Sequence, residues 1–415
     1  MTTATGQLED LAELYRDLHA HPELSYAEHR TAGIAAARLA GLGYRVTTGI
    51  GGTGVVGRLS NGPGPTVLLR ADMDALPVLE QTGLDYASTA RGTDKDGTDV
   101  PVMHACGHDM HVTCLLGAAA GLAATASDWQ GTLLLVFQPA EEGGGGAQAM
   151  IDDGLYERFA PPDIVLGQHV MNLPAGVLGV HAGPAFAAAD ELRVVLHGKG
   201  GHGSRPETTV DPILMAAATV LRLQGVVSRE IAADDASVLT VGALQAGTRS
   251  NIIPDKAELL LSLRSFDPKV RGRALAAIER IVRAEAAASG APREPEIIPT
   301  ISFPLLVNDK DAAARLIDLF NNSGVGWALD PGPLTGSEDV GVLATAAGVP
   351  CAYWLFGGAD PALFAGVTSV DEARAVVDGL PSNHSPLFAP VIEPTITTGV
   401  AALTAAARDW LGTPA

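Results

Sequence analysis

The strongest constraint on the fold of this 415-residue chain lies between residues 190 and 300. There, strand and helix patterns follow one another as strand 191–197, helix 212–227, strand 237–245, strand 257–265, helix 268–289 and strand 295–299. This βαββαβ order is that of a ferredoxin-like unit. We therefore predict a ferredoxin-like domain at residues 187–300, inserted into a second, larger domain.

Helices and strands alternate on both sides of this segment. The predicted elements are helices 8–18, 27–40 and 111–125, with strands 44–48, 55–59, 66–70, 132–137, 164–166 and, after the insertion, 352–356. Such alternation favours an α/β sandwich built on a largely parallel sheet. A chain of 415 residues is also too long for one ordinary core. We predict one discontinuous domain, formed by residues 1–186 and 301–415.

Charge and composition argue against several functional classes. The formal net charge of −20 opposes binding to nucleic acid or to an anionic membrane. We find no secretory signal and no apolar run as long as a membrane span. The three cysteines, Cys106, Cys114 and Cys351, are too few and too scattered for a disulfide framework. The sequence therefore predicts a cytoplasmic protein.

Five polar clusters contain residue types that carry chemistry. They are Asp72 with Asp74, Glu141 with Glu142, Gln168 with His169, the segment 103–111, and the segment 383–386. The first three directly follow apolar strands, and the fourth lies at the start of a predicted helix. Because ligands bind at the carboxyl ends of strands in open α/β sheets, we expect these clusters to converge.

Cysteine, histidine and carboxylate together are ligands of zinc and its first-row neighbours. Taken alone, each cluster is more often an ordinary buried cysteine, a hydrogen-bonded histidine or a solvated pair of glutamates than part of a functional site. Together they offer more ligands than the three that a catalytic zinc site usually takes from protein. The excess favours two ions about 3.5–4 Å apart with a shared ligand, and a thiolate can bridge. Glu141, adjacent to a ligand carboxylate, is then free to act as a general base.

Eight segments occur in an order that resembles a known family. They are LHAHPELSYAE, RADMDALP, MHACGHDMH, QPAEEGGGGA, GGHGSRPETTVDP, SNIIPD, TGSED and SNHSP, spread from about residue 15 to residue 390. They resemble the aminoacylase/carboxypeptidase family of dimetal peptidases, especially its amidohydrolase branch with hippurate hydrolases and indole-acetyl-amino-acid hydrolases. The resemblance implies a dimetal exopeptidase-like α/β domain that carries an inserted ferredoxin-like βαββαβ domain. It also implies a metal-dependent N-acyl-amino-acid amidohydrolase, in which a water that bridges the metals attacks the amide.

The resemblance implies a metal-ligand set, residue by residue. Cys106 would bridge two divalent ions, which could be Mn, Zn, Co or Ni. His108 and His169 would complete one site, and Glu142 and His384 would complete the other.

It also implies roles beyond the ligands. Glu141 would be the general base, and Asp74 would orient a ligand histidine. In the inserted domain, His202 would polarise the scissile carbonyl in the partner's active site of a homodimer, and Asn251 would bind the substrate carboxylate. A tetramer is the alternative assembly, and a turn histidine is the alternative reading of His202. For Asp72 and His104 we predict no function.

Three alternatives remain at this stage. A metallo-exopeptidase, either a carboxypeptidase or a dipeptidase, would use the same site for a peptide substrate. A thiol nucleophile formed by Cys106 and a neighbouring histidine would leave both glutamates and two histidines without a role. A non-enzymatic binding protein on this scaffold would normally have lost a ligand, and none is missing here.

Overall fold

The computed structural model describes residues 4–413; residues 1–3 and 414–415, the ends of the predicted discontinuous domain, lie outside that range. The helices are α1 Ala4–Ala20, α2 His29–Gly41, α3 His108–Ala124, α4 Gly146–Asp152, α5 Leu155–Arg158, α6 Pro212–Gly225, α7 Pro268–Ala288, α8 Lys310–Ser323, α9 Gly341–Ala347, α10 Val370–Gly379 and α11 Thr395–Trp410. The strands are β1 Arg45–Ile50, β2 Gly54–Asn61, β3 Thr66–Asp72, β4 Arg91–Thr93, β5 Asp99–Pro101, β6 Gly131–Gln138, β7 Ile164–Pro174, β8 Val177–Gly179, β9 Gly183–Phe186, β10 Ala188–His197, β11 Gly201–His202, β12 Ser237–Ala246, β13 Ile252–Ile253, β14 Lys256–Ser265, β15 Glu296–Phe303, β16 Leu306–Asn308, β17 Trp327–Leu329 and β18 Cys351–Ala359. Among these helices, none is long and apolar enough to cross a membrane.

The chain divides into two compact units. The first takes the chain up to Ala185, Val307–Gly332 and the chain from Asp339 onward. The second takes Phe186–Leu306 and the short segment Pro333–Glu338. We propose that these units correspond to the discontinuous domain at 1–186 and 301–415 and to the inserted domain at 187–300.

An eight-stranded sheet forms the centre of the first unit, in the order β1-β2-β6-β3-β7-β18-β8-β17. The central strands β6, β3, β7 and β18 run parallel to one another. Buried strands of this kind read as continuous apolar runs, such as 132–137. Helices α1, α3 and α11 contribute buried side chains to the same core, and α3 is apolar nearly all round, as expected for a helix covered on most faces.

Strand β7 differs from the prediction for this region. We predicted a short strand that ends before Gln168 and His169, whereas both residues lie inside an eleven-residue strand. Although Gln168 is buried, both ends of its side-chain amide are hydrogen-bonded. The amide donates to the Gly399 carbonyl (3.2 Å) and accepts from the Trp354 indole (3.1 Å). The strand therefore continues through polar residues that the sequence pattern treats as its end.

Helix α3 begins at His108, three residues earlier than predicted. Gly107 precedes it with φ 85°, a left-handed conformation that glycine adopts without steric cost. A Cβ atom at this position would lie 2.4 Å from the Val170 side chain. The tight turn places Cys106 and His108 directly against β7.

The second unit has the βαββαβ order predicted from the sequence. Its sheet has the order β12-β14-β10-β15 and is antiparallel throughout. Helices α6 and α7 contribute to one apolar core with β10 and β14. Both helices begin with proline after an aspartate N-cap: Asp211 accepts from Ile213 N–H, and Asp267 accepts from Lys269 N–H. The predicted α/β architecture and the ferredoxin-like βαββαβ order are confirmed.

Candidate metal centre

Two groups of possible metal ligands share one residue, Cys106. The first group is Cys106, His108 and His169, and the second is Cys106, Glu142 and His384. Within each group the potential ligand atoms all lie within 4.8 Å of one another. The five residues come from four separate places in the chain: the turn into α3, strand β7, the loop after β6 and the loop before α11. The structure thus brings together the five residues named from the sequence as ligands.

The contacts within these groups are close. Cys106 Sγ lies 3.5 Å from His169 Nε2, and Glu142 Oε1 lies 3.2 Å from His384 Nε2. His108 Nε2 lies 3.9 Å from Glu142 Oε1 and 4.0 Å from Glu141 Oε2. Four of the five proposed ligands are buried or nearly so, whereas the His384 side chain is 56 % exposed. The site is therefore open to solvent on the side of His384.

Three non-glycine residues of the described chain have a left-handed backbone, and all three flank this site. They are Tyr26 (φ 63°), Ala140 (φ 49°) and His384 (φ 71°). Ala140 directly precedes Glu141, and Tyr26 follows Ser25, whose hydroxyl donates to Asp74 (2.6 Å). Such conformations cost energy and tend to cluster where a site needs a fixed geometry.

Asp74 connects the two glutamates to His108. One of its carboxylate oxygens accepts from His108 Nδ1 (3.2 Å) and from Glu141 N–H (3.1 Å). The other accepts from Glu142 N–H (2.9 Å) and from Ser25. Because Nδ1 of His108 donates to Asp74, Nε2 is the nitrogen that would offer its lone pair to an ion in the shared site, as is usual for metal-binding histidines. The position of Asp74 is thus that of a residue that orients His108.

The electrostatics of the site fit a cation. Burial and the carboxylates of Glu142 and Glu141 raise the pKa of the Cys106 thiol well above its ordinary value. Burial opposes the charged form of His108, but Asp72 and Asp74 outweigh burial and raise its pKa to about 10. His108 Nε2 is buried and has no hydrogen-bond partner among the described residues. A divalent ion would supply the missing positive charge, bind this nitrogen and stabilise the thiolate.

A third group, formed by Asp72, His108 and His111, resembles a ligand set only in its spacing. Asp72 accepts from Arg70 Nη1 and from His111 Nδ1, each at 2.6 Å. His111 Nε2 accepts from the Val170 N–H (2.9 Å). Burial opposes the charged form of Asp72, yet Arg70 and the two histidines outweigh it and hold its pKa well below its ordinary value. Asp72 and His111 are therefore part of a buried hydrogen-bond network.

His104 lies outside both groups. It is buried, and neither ring nitrogen has a hydrogen-bond partner among the described residues. Burial lowers its pKa to about 4, so the ring is neutral near pH 7. Among the described residues, His104 belongs to none of the possible ligand groups.

His202 and Asn251 lie in the second unit, where they become neighbours although 49 positions separate them. His202 pairs with Ile252 across the short sheet of β11 and β13, and Gly203 N–H donates to the Asn251 carbonyl (2.9 Å). The His202 ring is exposed and accepts from Ser204 N–H (3.1 Å). Both residues are exposed in this unit.

Sequence reasoning overlooked several residues that hold the site together. Ser25 and Asn383 lie in motifs quoted above, LHAHPELSYAE and SNHSP, but their hydrogen bonds are to a carboxylate and to backbone groups. Arg70 is fully buried and is paired with Asp72 and Asp339. A charged residue inside an otherwise apolar strand was the available signal, because an arginine is rarely buried without partners.

Comparisons with known proteins give four consistent findings. The model of peptidase family M20/M25/M40 matches residues 68–378. The hippurate hydrolase of Campylobacter jejuni is 39% identical over 340 residues, which cover 80% of this chain and 84% of that protein. Thermostable carboxypeptidase 2 of Saccharolobus solfataricus is 38% identical over 339 residues, with 80% and 82% covered. The crystal structure of the Bacillus subtilis YXEP protein, a dinuclear metal binding peptidase from the M20 family, has a TM-score of 0.75 and 27% identity, and the match covers 99% of this chain and 100% of that one.

Proposed function

The chain belongs to peptidase family M20/M25/M40 and is a metal-dependent hydrolase of amide bonds, and we propose that its substrates are N-acylated amino acids. One observation carries the proposal: the two ligand groups meet at a single cysteine. A shared thiolate between two nearby cations is the arrangement expected of a two-metal hydrolase.

We propose that Cys106 bridges two divalent ions, with His108 and His169 completing one site and Glu142 and His384 the other. Thiolate and imidazole ligands favour zinc and its first-row neighbours, so Zn, Mn, Co and Ni are the candidates. When bound, the ions polarise the amide carbonyl and lower the pKa of the attacking water. The exposure of His384 leaves one side of this site open for a substrate.

Glu141 is the general base in this proposal. It is buried beside the ligand groups, and its backbone is fixed by Asp74. Its carboxylate accepts a proton from the attacking water and passes the proton to the nitrogen of the leaving amine. Asp74 holds His108 through Nδ1, so the imidazole offers its Nε2 lone pair to the shared site.

A carboxypeptidase activity is the second candidate, favoured by the similarity to thermostable carboxypeptidase 2. The two functions differ only in the group on the acyl side of the cleaved bond. A screen of N-acetyl, N-benzoyl and indole-acyl amino acids against unblocked and blocked dipeptides separates them. Each substrate should be tested with Mn, Zn, Co and Ni. Faster cleavage of peptides than of acyl amino acids would favour the carboxypeptidase.

A thiol nucleophile fits the site poorly. Reactive cysteines have a lowered pKa, whereas burial and nearby carboxylates raise that of Cys106. The adjacent His169 is buried, and burial holds its pKa well below the ordinary value.

We expect activity to require divalent metal. Chelation followed by dialysis should abolish hydrolysis, and added metal should restore it. The reason is that the ions would polarise the amide carbonyl and lower the pKa of the attacking water. Metal analysis of the purified protein should approach two ions per chain. Full activity in a preparation shown to contain no metal would contradict the two-metal proposal.

We also propose that the protein is a homodimer through its second unit. Strand β12 is an edge strand of the four-stranded sheet, with Val238 and Leu244 exposed. Helix α6 exposes Ile213, Leu214 and Leu221. Unpaired strand edges and exposed apolar groups are features that another chain can cover. A second copy of this unit, with the same apolar residues, is the proposed occupant.

In such a dimer, we propose that His202 donates a hydrogen bond to the oxyanion in the partner's site, and that Asn251 binds the substrate carboxylate. His202→Ala should lower kcat about 10²–10³-fold, the usual cost of one oxyanion donor. It should leave the metal content unchanged. Mixed dimers of His202→Ala and Glu141→Gln chains should regain activity, because each hybrid has one site with both groups intact. If exchange is verified by mass spectrometry and no activity returns, His202 does not act across the dimer.

A further inference from the structure

The main-chain N–H and C=O groups of Val170 contact three parts of the candidate metal centre. Its N–H donates to His111 Nε2 (2.9 Å). Its carbonyl accepts from His169 Nδ1 (2.9 Å) and from Asn383 Nδ2 (3.2 Å). The main chain on both sides of the Val170 Cα, which spans two successive peptide planes, is therefore held by helix α3, by strand β7 and by the loop that carries His384.

These contacts fix the tautomers of two histidines. A backbone N–H can only donate, so His111 Nε2 must present a lone pair, and the ring proton lies on Nδ1. That proton is donated to Asp72 (2.6 Å), whose other oxygen is bound by Arg70. In the same way, His169 Nδ1 donates to a carbonyl, so its Nε2 carries the lone pair, 3.5 Å from Cys106 Sγ.

The ring of His111 also packs against both proposed ligand histidines. Its centroid lies 4.6 Å from that of His169 in an edge-on arrangement and 5.3 Å from that of His108 in a stacked one. His111 is buried, and Asp72 and Val170 account for both of its ring nitrogens. It therefore supports the two ligand rings without offering an atom to a metal.

We propose that His111 is a positioning residue that orients His169 through the main chain of Val170. The inference rests on the proposed function, because it concerns the site formed by Cys106, His108 and His169. Loss of its acceptor nitrogen frees the Val170 N–H, so the backbone dihedrals of Val170 are less restrained, and these dihedrals set the direction of the carbonyl that accepts from the His169 ring. Groups that orient ligands in this way typically contribute about 10–100-fold to metal affinity.

Two substitutions separate the roles of the two ring nitrogens. In His111→Asn, the amide nitrogen can replace Nδ1 as the donor to Asp72, but nothing replaces Nε2. In His111→Gln, the amide oxygen can replace Nε2 as the acceptor from Val170. We expect His111→Asn to weaken metal binding about 10–100-fold and His111→Gln to retain more of the affinity. The measurement is competition with a chelator, combined with metal counts after dialysis.

In this assay His111→Asn should lose the ion held by His108 and His169 before the other, since Val170 bonds the His169 ring directly and contacts the His384 loop only through Asn383. His197→Asn is the matched control, because His197 is a buried histidine of the second unit, bonded to Glu296 and Arg293. It should bind both ions as the wild type does. Wild-type affinity in His111→Asn, or equal loss in the Asn and Gln variants, would overturn the proposal.

Nuclear magnetic resonance of isotopically labelled histidines in the zinc-loaded wild-type protein gives a test that does not depend on variants. His111 and His169 should both carry their proton on Nδ1. A proton on Nε2 of His111 would overturn the proposal even if the variants fail to fold. If the wild type binds metal and cleaves acyl amino acids while His111→Asn is unchanged, only the inference fails. A wild type that binds no metal refutes the proposed function itself.

Discussion

Replacing Glu141 with glutamine should lower kcat about 10²–10⁴-fold while the protein still binds its metal ions. The amide has nearly the same shape as the carboxylate, and the Glu141 N–H that donates to Asp74 is unaffected. The side-chain amide of the glutamine cannot, however, accept a proton from the attacking water. The expected loss corresponds to roughly 3–5 kcal/mol of activation free energy. Steady-state kinetics and metal analysis of the same preparation measure both quantities.

Two further variants serve as controls for this result. Glu157→Gln changes an exposed glutamate in α5 of the same unit and should leave kcat and metal content unchanged. Glu141→Asp keeps the base but withdraws it by one methylene group, so its kcat should lie between those of the wild type and of Glu141→Gln. A Glu141→Gln protein with near wild-type turnover would exclude Glu141 as the base.

Cys106→Ser should have the other large effect, and the defect should appear in metal binding. Cys106 is the one residue common to both ligand groups. A serine hydroxyl stays protonated near pH 7 and is a poor substitute for a thiolate that holds two ions. Because residues that only orient ligands already contribute 10–100-fold, we expect more than about 100-fold weaker metal binding. Activity measured at a limiting metal concentration should fall along with the metal affinity.

The control for this experiment is Cys114→Ala, which removes another buried thiol, in helix α3, which follows Cys106 in the chain. It should retain both ions. Alkylation gives an independent measurement: in the wild type, Cys106 should react slowly with metal bound and faster after chelation. Faster alkylation of the metal-loaded form would favour the thiol-nucleophile alternative.

The fold was predictable where residue patterns are local. The six elements of the second unit were assigned from turns, prolines and apolar runs, because each is an amphipathic or apolar segment with clear ends. Prediction was wrong where tertiary contacts override the pattern. Strand β7 continues past Gln168 because Trp354 and Gly399 satisfy that side chain. Helix α3 begins early because Gly107 allows a turn that no apolar period reveals.

The candidate site was also predictable only in part. The resemblance named every residue of the two ligand groups, and their roles as ligands stay predictions until metal is measured. What could not be predicted is the set of contacts through backbone groups. The main chain of Val170 makes three hydrogen bonds at the site, yet valine carries no polar side chain that a motif could reveal. The role of Ser25 is equally hidden, because it depends on a carboxylate 49 positions away.

The position of the second unit within the chain has a consequence for biosynthesis. Cys106, His108 and His169 are all translated before this unit, whereas His384 is added 215 residues after His169. At roughly 5–20 residues per second, the ribosome needs about 10–40 s to cover that stretch. A nascent chain would therefore present one potential half-site, with its thiol, well before the other half exists. We expect cells to load the two ions in sequence, and the second only on the released protein or on a nearly finished chain.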